Sequence, residues 1–240
     1  MNNSNGILTT GFCHVKQLTF LAYLIDYSSK LITQQDRPQE DPHEIMSDSI
    51  DMRGWEPWQQ KYRYGVLLII PPEPSLSLVD SLRVRYAWAQ SSECPAHISL
   101  TVPLPQPLTP EHWTELVGIA SEIKPFTIHY GPLTHYLPHP GVVLRIDPQD
   151  RLDHLREALE SASCFAQADP RRYPFSAHMT IAEMISAEQT IEIMSALQGD
   201  APQGSFLCQK VSHVVPDDRF RFAERTRLTL GATDQTDTMI

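Results

Sequence analysis

Two hydrophobic periods alternate along the chain from about Tyr62 onward. Short apolar runs, typical of strands, are separated by longer segments in which apolar residues recur at helical spacing. The clearest strand is the continuous run at 66–70, as expected of a strand covered on both faces. The clearest helix spans 110–123, where an N-cap threonine and a proline precede an apolar stripe. The pattern therefore predicts a mixed protein with alternating strands and helices.

The order of these elements occurs twice. The first half predicts a strand at 66–70, a helix at 78–89, a strand around His97, a helix at 110–123 and a strand at 126–130. The second half predicts a strand at 142–146, a helix at 148–161, a strand around His178, a helix at 187–197 and a strand at 206–214. Matching elements lie about 71 to 81 residues apart. A duplicated unit with a pseudo-two-fold axis would bring the two His strands together across one cleft.

The middle strand of each half carries the same short motif. The two copies are His97-Ile98-Ser99 and His178-Met179-Thr180. Residues i and i+2 of a strand share a face, so each copy sets an imidazole beside a hydroxyl while its middle residue faces the core. A lone His on a strand is more often a hydrogen-bonded core residue than a catalyst. Two copies at the same place of a repeated unit favour a shared site.

Two opposed imidazoles suit in-line attack on phosphorus. The unperturbed pKa of His is about 6.5, so a neutral and a charged ring can coexist near neutral pH. One ring would take a proton from the nucleophile while the other gives a proton to the leaving oxygen. The hydroxyls of Ser99 and Thr180 can donate hydrogen bonds to non-bridging oxygens. Either ring could be the base, and the pattern requires no metal.

The paired motifs, their separation and the doubled element order resemble the two-histidine phosphoesterase superfamily, the group of 2′-5′ RNA ligase-like proteins and cyclic phosphodiesterases. The resemblance covers roughly residues 62–231. The second motif, within 175–182, is a close match, and Ser99 in the first replaces the commoner Thr. Members often have Pro where Ala177 stands, and some place Arg shortly after the second motif, where this chain has Glu183.

The resemblance implies an α+β fold of two duplicated βαβαβ units whose antiparallel sheets surround a central cleft. It also implies a reaction, the opening of a 2′,3′-cyclic phosphate to a 2′-phosphate. His97 and His178 would be catalytic, Ser99 and Thr180 would bind the phosphate, and no cofactor would be needed. Three alternatives stay open: RNA 2′-5′ ligation, cleavage of a cyclic oligonucleotide, and a non-catalytic nucleotide- or RNA-binding module. A scaffold that uses the aromatic N-terminal segment is a further class.

Composition limits the partners. The chain has 240 residues and a net charge of −10, which argues against a broad grip on duplex DNA. An RNA end or a small cyclic nucleotide remains a suitable substrate, because a few local charges suffice. The four scattered cysteines show no metal-like spacing and predict reduced thiols in a cytoplasmic protein, which we expect to be a monomer.

The composition also divides the chain. We expect an N-terminal extension with an acidic linker at 1–61, poorly ordered or partly helical, then the two-histidine domain at 62–231 and a polar tail at 232–240. The apolar run at 18–25 is too short to span a bilayer, so no membrane association is expected. A signal peptide, or a native start at Met46 or Met52, remains an alternative.

Other residues are weaker candidates. Arg172 and Tyr173 precede the second motif in a predicted loop and are possible substrate contacts. His135 and His139 have the i, i+4 spacing of some metal ligands, but their segment is too rich in proline for a helix, so no metal site is expected. Ser77 with Asp80 predicts a capping box for the first helix, and Ser186 with Gln189 predicts one for the fourth.

Two segments, one at each end of the domain, each have two possible roles. The aromatic residues Trp55, Trp58, Tyr62 and Tyr64 precede the first strand. They would seal a sheet edge or, less favoured, stack a base. A last strand at 219–230 alternates aromatic or aliphatic residues with arginines. The arginine face is interpreted as a charged, solvated sheet edge, with a place in the cleft as the alternative.

Overall fold

The structure is a computed structural model that describes residues 50–87, 93–136 and 139–231. The predictions for 1–49 and for the tail at 232–240 lie outside the described residues. The same is true of the last part of the first predicted helix, at 88–89.

The described elements follow the predicted order in both halves. The first half forms β1 (Val66–Ile69), α1 (Ser75–Tyr86), β2 (Ile98–Ser99), α2 (Pro110–Glu122) and β3 (Phe126–His135). The second half forms β4 (Gly141–Asp147), α3 (Gln149–Glu160), β5 (His178–Glu183), α4 (Ala187–Ala196) and β6 (Gly204–Cys208). Two strands, β7 (Lys210–Pro216) and β8 (Phe222–Thr229), follow, and short 3₁₀ turns lie at Gln59–Tyr62 and Ser163–Phe165.

All eight of these strands belong to one antiparallel sheet with the order β6-β3-β4-β5-β2-β1-β7-β8. The fold is therefore α+β, as predicted. The sheets of the two halves are continuous, because the His strands β2 and β5 pair with each other at the centre. Each half also contributes strands to the other side: β3 pairs with β4, and β7 pairs with β1.

The strand predicted at 206–214 is wrong in one respect, because it is two strands. β6 ends at Cys208 and pairs with β3, whereas β7 begins at Lys210 and pairs with β1. Between Cys208 and Lys210 the chain therefore leaves the edge strand β6 and enters β7, which lies near the opposite edge of the sheet. A period of two residues reports which face a side chain occupies and carries no information about the partner strand.

Helix starts were predicted correctly at two of three capping sequences. The Thr109 side chain accepts a hydrogen bond from the His112 backbone N–H at 3.2 Å, with Pro110 as the first helical residue. Ser186 and Gln189 form a reciprocal capping box before α4. These bonds satisfy backbone donors that the first helical turn leaves without partners.

The capping box predicted for Ser77 and Asp80 is wrong. Helix α1 already begins at Ser75, and Ser77 bonds to Glu73 instead. Asp80 lies inside the helix and is only 2% exposed. Its carboxylate accepts a hydrogen bond from the Ala96 backbone N–H at 2.8 Å, next to the first motif. The box pattern failed because a distant backbone donor holds this carboxylate.

The core lies on the face of the sheet that carries the middle residues of the two motifs. Ile98 and Met179 are both fully buried, as the strand alternation predicts. Helix α1 packs against β5, and α4 packs against β3 and β4. Large side chains that are fully buried include those of Leu67, Ile69, Ile98, Leu100, Leu104, Leu116, Ile128, Leu144, Ile146, Leu152, Leu155 and Leu159. The opposite face of the central strands is left for polar side chains.

Three of the N-terminal aromatic residues pack against the residues at the beginning of β8, which is one of the two edge strands. The rings of Trp55 and Trp58 lie edge-on to Phe220 with centroids 5.2 and 5.3 Å away, and Tyr62 contacts Phe222 at 5.8 Å. The edge-sealing interpretation is thus confirmed for these three residues, although Trp58 and Tyr62 also line the cleft described below.

The arginine-bearing strand forms a solvated edge, as predicted. Arg225 is exposed on β8, and the four arginines of this segment are absent from the lining of the cleft. The alternative that placed this charged face in the cleft is therefore wrong. Among the described residues, no helix has the length and apolar content needed to cross a bilayer.

Candidate functional site

The register of the two His strands places four polar side chains on one face. Ile98 lies opposite Met179 in the antiparallel pair β2–β5. One step along this register sets His97 beside Thr180, and a step the other way sets Ser99 beside His178. Directly opposed side chains have Cβ atoms about 5 Å apart, and diagonal ones about 7–8 Å. The two imidazoles therefore occupy diagonal corners of a small square, with room for a phosphate between them.

This square forms part of the wall of a cleft of about 930 Å³. All four motif side chains line the cleft: His97, Ser99, His178 and Thr180. The two weaker candidates, Arg172 and Tyr173, line it as well. The structure thus brings together every residue that the sequence suggested for the site.

Each imidazole is held through its Nδ1 atom. The His97 Nδ1–H donates to the Pro95 carbonyl, and the His178 Nδ1–H donates to the Ser176 carbonyl, both at 2.7 Å. A carbonyl oxygen can only accept, so Nδ1 must carry the proton in both rings. Nε2 is then an acceptor in a neutral ring and a donor in a charged one. The two rings therefore have the same tautomer when neutral, and a backbone carbonyl holds each of them.

The pKa of His97 is lowered to about 4, first by burial and then by the positive charge of Arg83. The hydrogen bond to Pro95 acts in the opposite direction, and the charge of His178 lowers the pKa slightly further. The ring is half-buried at the base of the cleft. Its Nε2 is therefore unprotonated at neutral pH and can accept a proton.

A β-bulge turns a carboxylate into the cleft. Thr180 pairs with Val143 but Ala182 pairs with Val142, so β5 contains one extra residue at this point. Ala182 is fully buried, and the next residue, Glu183, lines the cleft. Strict alternation from Thr180 would place Glu183 on the core face. Sequence reasoning therefore missed its position, because the bulge has no signature in the local pattern.

Glu183 makes one end of the cleft acidic. Burial is the main cause that raises the pKa of Glu93, Tyr62 and Tyr136, and the negative charge of Glu183 is the next cause for all three. The Tyr136 ring lies against the His178 ring, with centroids 4.7 Å apart. The acidic end therefore begins beside the second histidine.

The cleft as a whole carries more positive than negative side chains. Its lining contains Lys61, Arg63, Arg83, Arg171 and Arg172 as cations, and Glu93, Asp169 and Glu183 as carboxylates. This local balance contrasts with the net charge of −10 for the chain. An anionic ligand can thus be attracted locally although the chain as a whole is negatively charged.

The loop before the second motif is tied to the strand end after the first. Arg171 donates to the Leu100 carbonyl and pairs with Glu160 at 2.7 Å. The same carboxylate accepts from the Val102 N–H at 2.8 Å. The Phe175 ring lies under the guanidinium groups of both Arg156 and Arg171, at 5.2 and 5.0 Å. These contacts fix the two motifs relative to each other.

His139 contributes an aromatic surface to the cleft. Its ring contacts Tyr173 at 6.2 Å and Tyr136 at 6.5 Å. The three rings extend the wall beside His178 and offer faces on which a base could stack.

The described cysteines, Cys94, Cys164 and Cys208, are buried free thiols, and burial raises their pKa values to about 12, 11 and 12. Buried thiols with raised pKa values are poor nucleophiles. The described cysteines therefore supply packing.

The sequence of this chain is similar to those of known proteins. A sequence model of the 2′-5′ RNA ligase superfamily matches residues 70–219. A "Putative phosphoesterase" of Bacillus cytotoxicus is 27% identical over 135 residues, which is 55% of this chain and 76% of that protein. A "Putative phosphoesterase" of Bacillus thuringiensis strain Al Hakam has the same identity and coverage.

Solved structures also resemble this chain. One, described as a crystal structure of phosphoesterase, aligns with 71% of this chain and 99% of its own, at 16% identity and a TM-score of 0.46. E. coli LigT complexed with 3′-AMP aligns over the same shares, at 16% identity and a TM-score of 0.44.

Proposed function

The chain belongs to the 2′-5′ RNA ligase superfamily, and on that premise we propose that it is a phosphoesterase that opens 2′,3′-cyclic phosphates to 2′-phosphates by two-histidine acid–base catalysis. The substrate is a cyclic nucleotide or the cyclic end of an RNA strand. One observation carries the proposal: the pairing of Ile98 with Met179 sets both imidazoles and both hydroxyls on one cleft face. Binding of a nucleotide alone does not require two titratable groups on that face.

The lowered pKa of His97 assigns the roles of the two rings in this proposal. The neutral Nε2 of His97 takes a proton from water as its oxygen bonds to phosphorus. The bond from phosphorus to the 3′ oxygen breaks, and that oxygen takes a proton from Nε2 of charged His178. The product has a 2′-phosphate and a free 3′-hydroxyl. Proton exchange with solvent then restores both rings.

Ser99 and Thr180 bind the non-bridging oxygens in this proposal. Each hydroxyl lies beside the imidazole of the other motif, because of the β2–β5 register. Hydrogen bonds to these oxygens strengthen as negative charge develops in the transition state. Arg172 and Tyr173 lie at the rim of the same cleft and are proposed to contact the nucleoside. We expect the protein to act as a cytoplasmic monomer without a cofactor.

A turnover assay with the four nucleoside 2′,3′-cyclic phosphates tests the proposal. His97→Ala and His178→Ala should each lower the rate by about 10²- to 10⁴-fold, the usual range for a lost acid or base. The double variant should be little worse than either single one, because the rings act as a unit. His154→Ala, at an exposed site on α3, is the matched control and should keep the wild-type rate.

Two further results would decide between the alternatives. EDTA should leave turnover unchanged, because the proposed step uses only protein side chains. Full activity in either single His variant on every cyclic phosphate, or loss of activity in EDTA, would contradict the mechanism. Nucleotide binding with no turnover would instead support the non-catalytic module. Joining of RNA ends with 2′-5′ linkages would identify the ligase, in which a 5′-hydroxyl replaces water as the nucleophile that opens the cyclic phosphate.

A further inference from the structure

The peptide group that holds each imidazole is itself held by a helix side chain. In the first motif, one peptide group joins Pro95 to Ala96. Its carbonyl accepts the His97 Nδ1–H at 2.7 Å, and its N–H donates to the Asp80 carboxylate at 2.8 Å. A carboxylate, a peptide and an imidazole are therefore connected in one chain of hydrogen bonds.

The second motif contains the same chain with a different end group. The peptide that joins Ser176 to Ala177 accepts the His178 Nδ1–H at 2.7 Å through its carbonyl. Its N–H donates to the Gln149 side-chain oxygen at 2.9 Å. Asp80 lies on α1 and Gln149 on α3, which are matching helices of the two halves. The arrangement is thus duplicated along with the motif, but one end is charged and the other is neutral.

Both end groups have a fixed orientation. The Asp80 carboxylate is 2% exposed and lies 3.9 Å from the Arg83 guanidinium, which also donates to the Cys94 carbonyl at 2.9 Å. Helix α1 therefore holds the segment before His97 by hydrogen bonds at Cys94 and at Ala96. The Gln149 amide nitrogen donates to Asp153 at 3.2 Å, so its oxygen must face the Ala177 N–H.

Hydrogen bonds in such a chain polarise one another. An acceptor on the peptide N–H makes the carbonyl of the same peptide more negative. That carbonyl then stabilises a positive charge on the imidazole whose Nδ1–H it accepts. A carboxylate does this more strongly than a neutral amide, because hydrogen bonds to charged groups are stronger.

We propose that Asp80 and Gln149 are positioning residues that orient the two imidazoles and raise their proton affinity through the intervening peptide groups. The end groups of the two chains support different roles. Charged Asp80 stabilises the imidazolium that His97 becomes when it acts as the base, whereas neutral Gln149 supports His178 more weakly. The roles of the rings rest on the proposed function, but the coupling through the peptides does not. The charged or titratable groups near His97 are Arg83 on α1 and His178. Those near His178 are His97, the Tyr136 ring that contacts it and Arg145 opposite it on β4, while Glu183 lines the same cleft.

Gln149 gives the cleaner test, because its side chain is only half-buried. The ring of His178 is titrated by NMR without substrate in the full chain. Gln149→Glu should raise the pKa of His178, and Gln149→Ala should lower it. Asp150→Asn, at the exposed neighbouring position, changes the charge of the same helix turn without reaching Ala177. A shift in this control equal in size to that of Gln149→Glu would show a through-space effect and overturn the relay.

Asp80→Asn tests the charged arm, because asparagine keeps an acceptor oxygen and loses the charge. His97 becomes less basic, so the acidic limb of the kcat profile should move to lower pH. kcat should fall about 10- to 100-fold, the range for lost outer supports of a site, with KM near the wild-type value. A purely structural defect lowers the active fraction and leaves the limb in place. A folded Asp80→Asn protein with an unmoved limb overturns this arm.

The two lines of testing fail separately. If Asp80→Asn does not fold, as judged by its melting curve, the Gln149 titrations alone decide the relay. Wild-type His178 titration in both Gln149 variants overturns it. Shifted titrations in a protein that turns over no cyclic phosphate contradict the proposed function and leave the relay standing.

Discussion

At the scale of single residues, burial lowers the pKa of both His97 and His213, but only one of the two rings lines the cleft. His213 on β7 is 3% exposed and donates its Nε2–H to the Tyr64 carbonyl at 3.1 Å. Burial lowers its pKa to about 4, the same value as for His97. His213 is absent from the cleft lining, so its neutral ring serves packing. His97 lines the cleft, where a neutral ring can act as a base.

The buried His213 should make the fold sensitive to acid. Between pH 6.5 and about 4 the unfolded chain binds a proton at this residue and the folded chain does not, so stability falls as pH falls. The effect is of the order of 3 kcal/mol below pH 4, when one pKa unit is taken as about 1.4 kcal/mol. Urea unfolding of His213→Gln across this pH range should show a flatter dependence than the wild type. An equally steep dependence would show that His213 titrates normally.

The two hydroxyls of the motifs should contribute to rate in a similar way. Ser99→Ala and Thr180→Ala each remove one donor from the cleft face, and each should lower kcat by about 10- to 1000-fold. Binding of substrate should change less, because the imidazoles remain. Thr134→Ala, on the exposed face of β3, controls for loss of a strand hydroxyl. A wild-type rate in the Ser99→Ala, Thr180→Ala double variant would remove the hydroxyls from the mechanism.

At the scale of one element, the bulge in β5 decides the charge of the cleft. Without the extra residue, Glu183 would face the core, where an unpaired carboxylate is costly. With it, the carboxylate acts on Glu93, Tyr62 and Tyr136 from within the cleft. A local irregularity in strand pairing therefore sets a negative charge in the cleft.

Glu183→Gln should tighten the binding of a doubly charged nucleoside monophosphate. Removal of one negative charge at the acidic end should contribute about 1 kcal/mol, roughly five-fold in Kd, at an effective dielectric constant suited to a solvated cleft. Calorimetry at two salt concentrations checks the result, since the gain should shrink as salt screens the charge. Glu192→Gln, exposed on α4, is the matched control. Equal Kd values for the Glu183 variant and the wild type would contradict an electrostatic role.

At the scale of the whole molecule, strands of each half pair with strands of the other, so the two halves share one sheet. β3 of the first half pairs with β4 and β6 of the second, while β7 pairs with β1. The motif strands pair within their own halves, β2 with β1 and β5 with β4, and they also pair with each other across the junction. The site therefore exists only when both halves are folded together.

The described domain should accordingly unfold in a single step. Urea transitions followed by far-UV circular dichroism and by fluorescence should coincide, because neither half can lose its strands alone. Variants that keep only Trp55 or only Trp113 report β8 and α2 separately and should give the same midpoint. Two separated midpoints would show that the halves fold independently.

The sequence by itself determined the order of elements and the face of each motif side chain. Strand alternation depends on the geometry of neighbouring residues, so His97, Ser99, His178 and Thr180 could be placed on polar faces without coordinates. The duplication and the helix start at Ser186 could also be predicted, because both depend on local sequence patterns. The family resemblance came from these local patterns and supplied the expected cleft.

Only the tertiary structure decided which strands are neighbours. It divided the segment 206–214 into two strands that pair in different halves, and it placed Glu183 in the cleft. It also showed that the Asp80 carboxylate accepts a hydrogen bond from the Ala96 N–H and does not cap a helix. Each outcome depends on a hydrogen-bond partner far away in the sequence. Local periodicity encodes the face that a side chain occupies, whereas the choice of partner is settled by the free energy of the whole sheet.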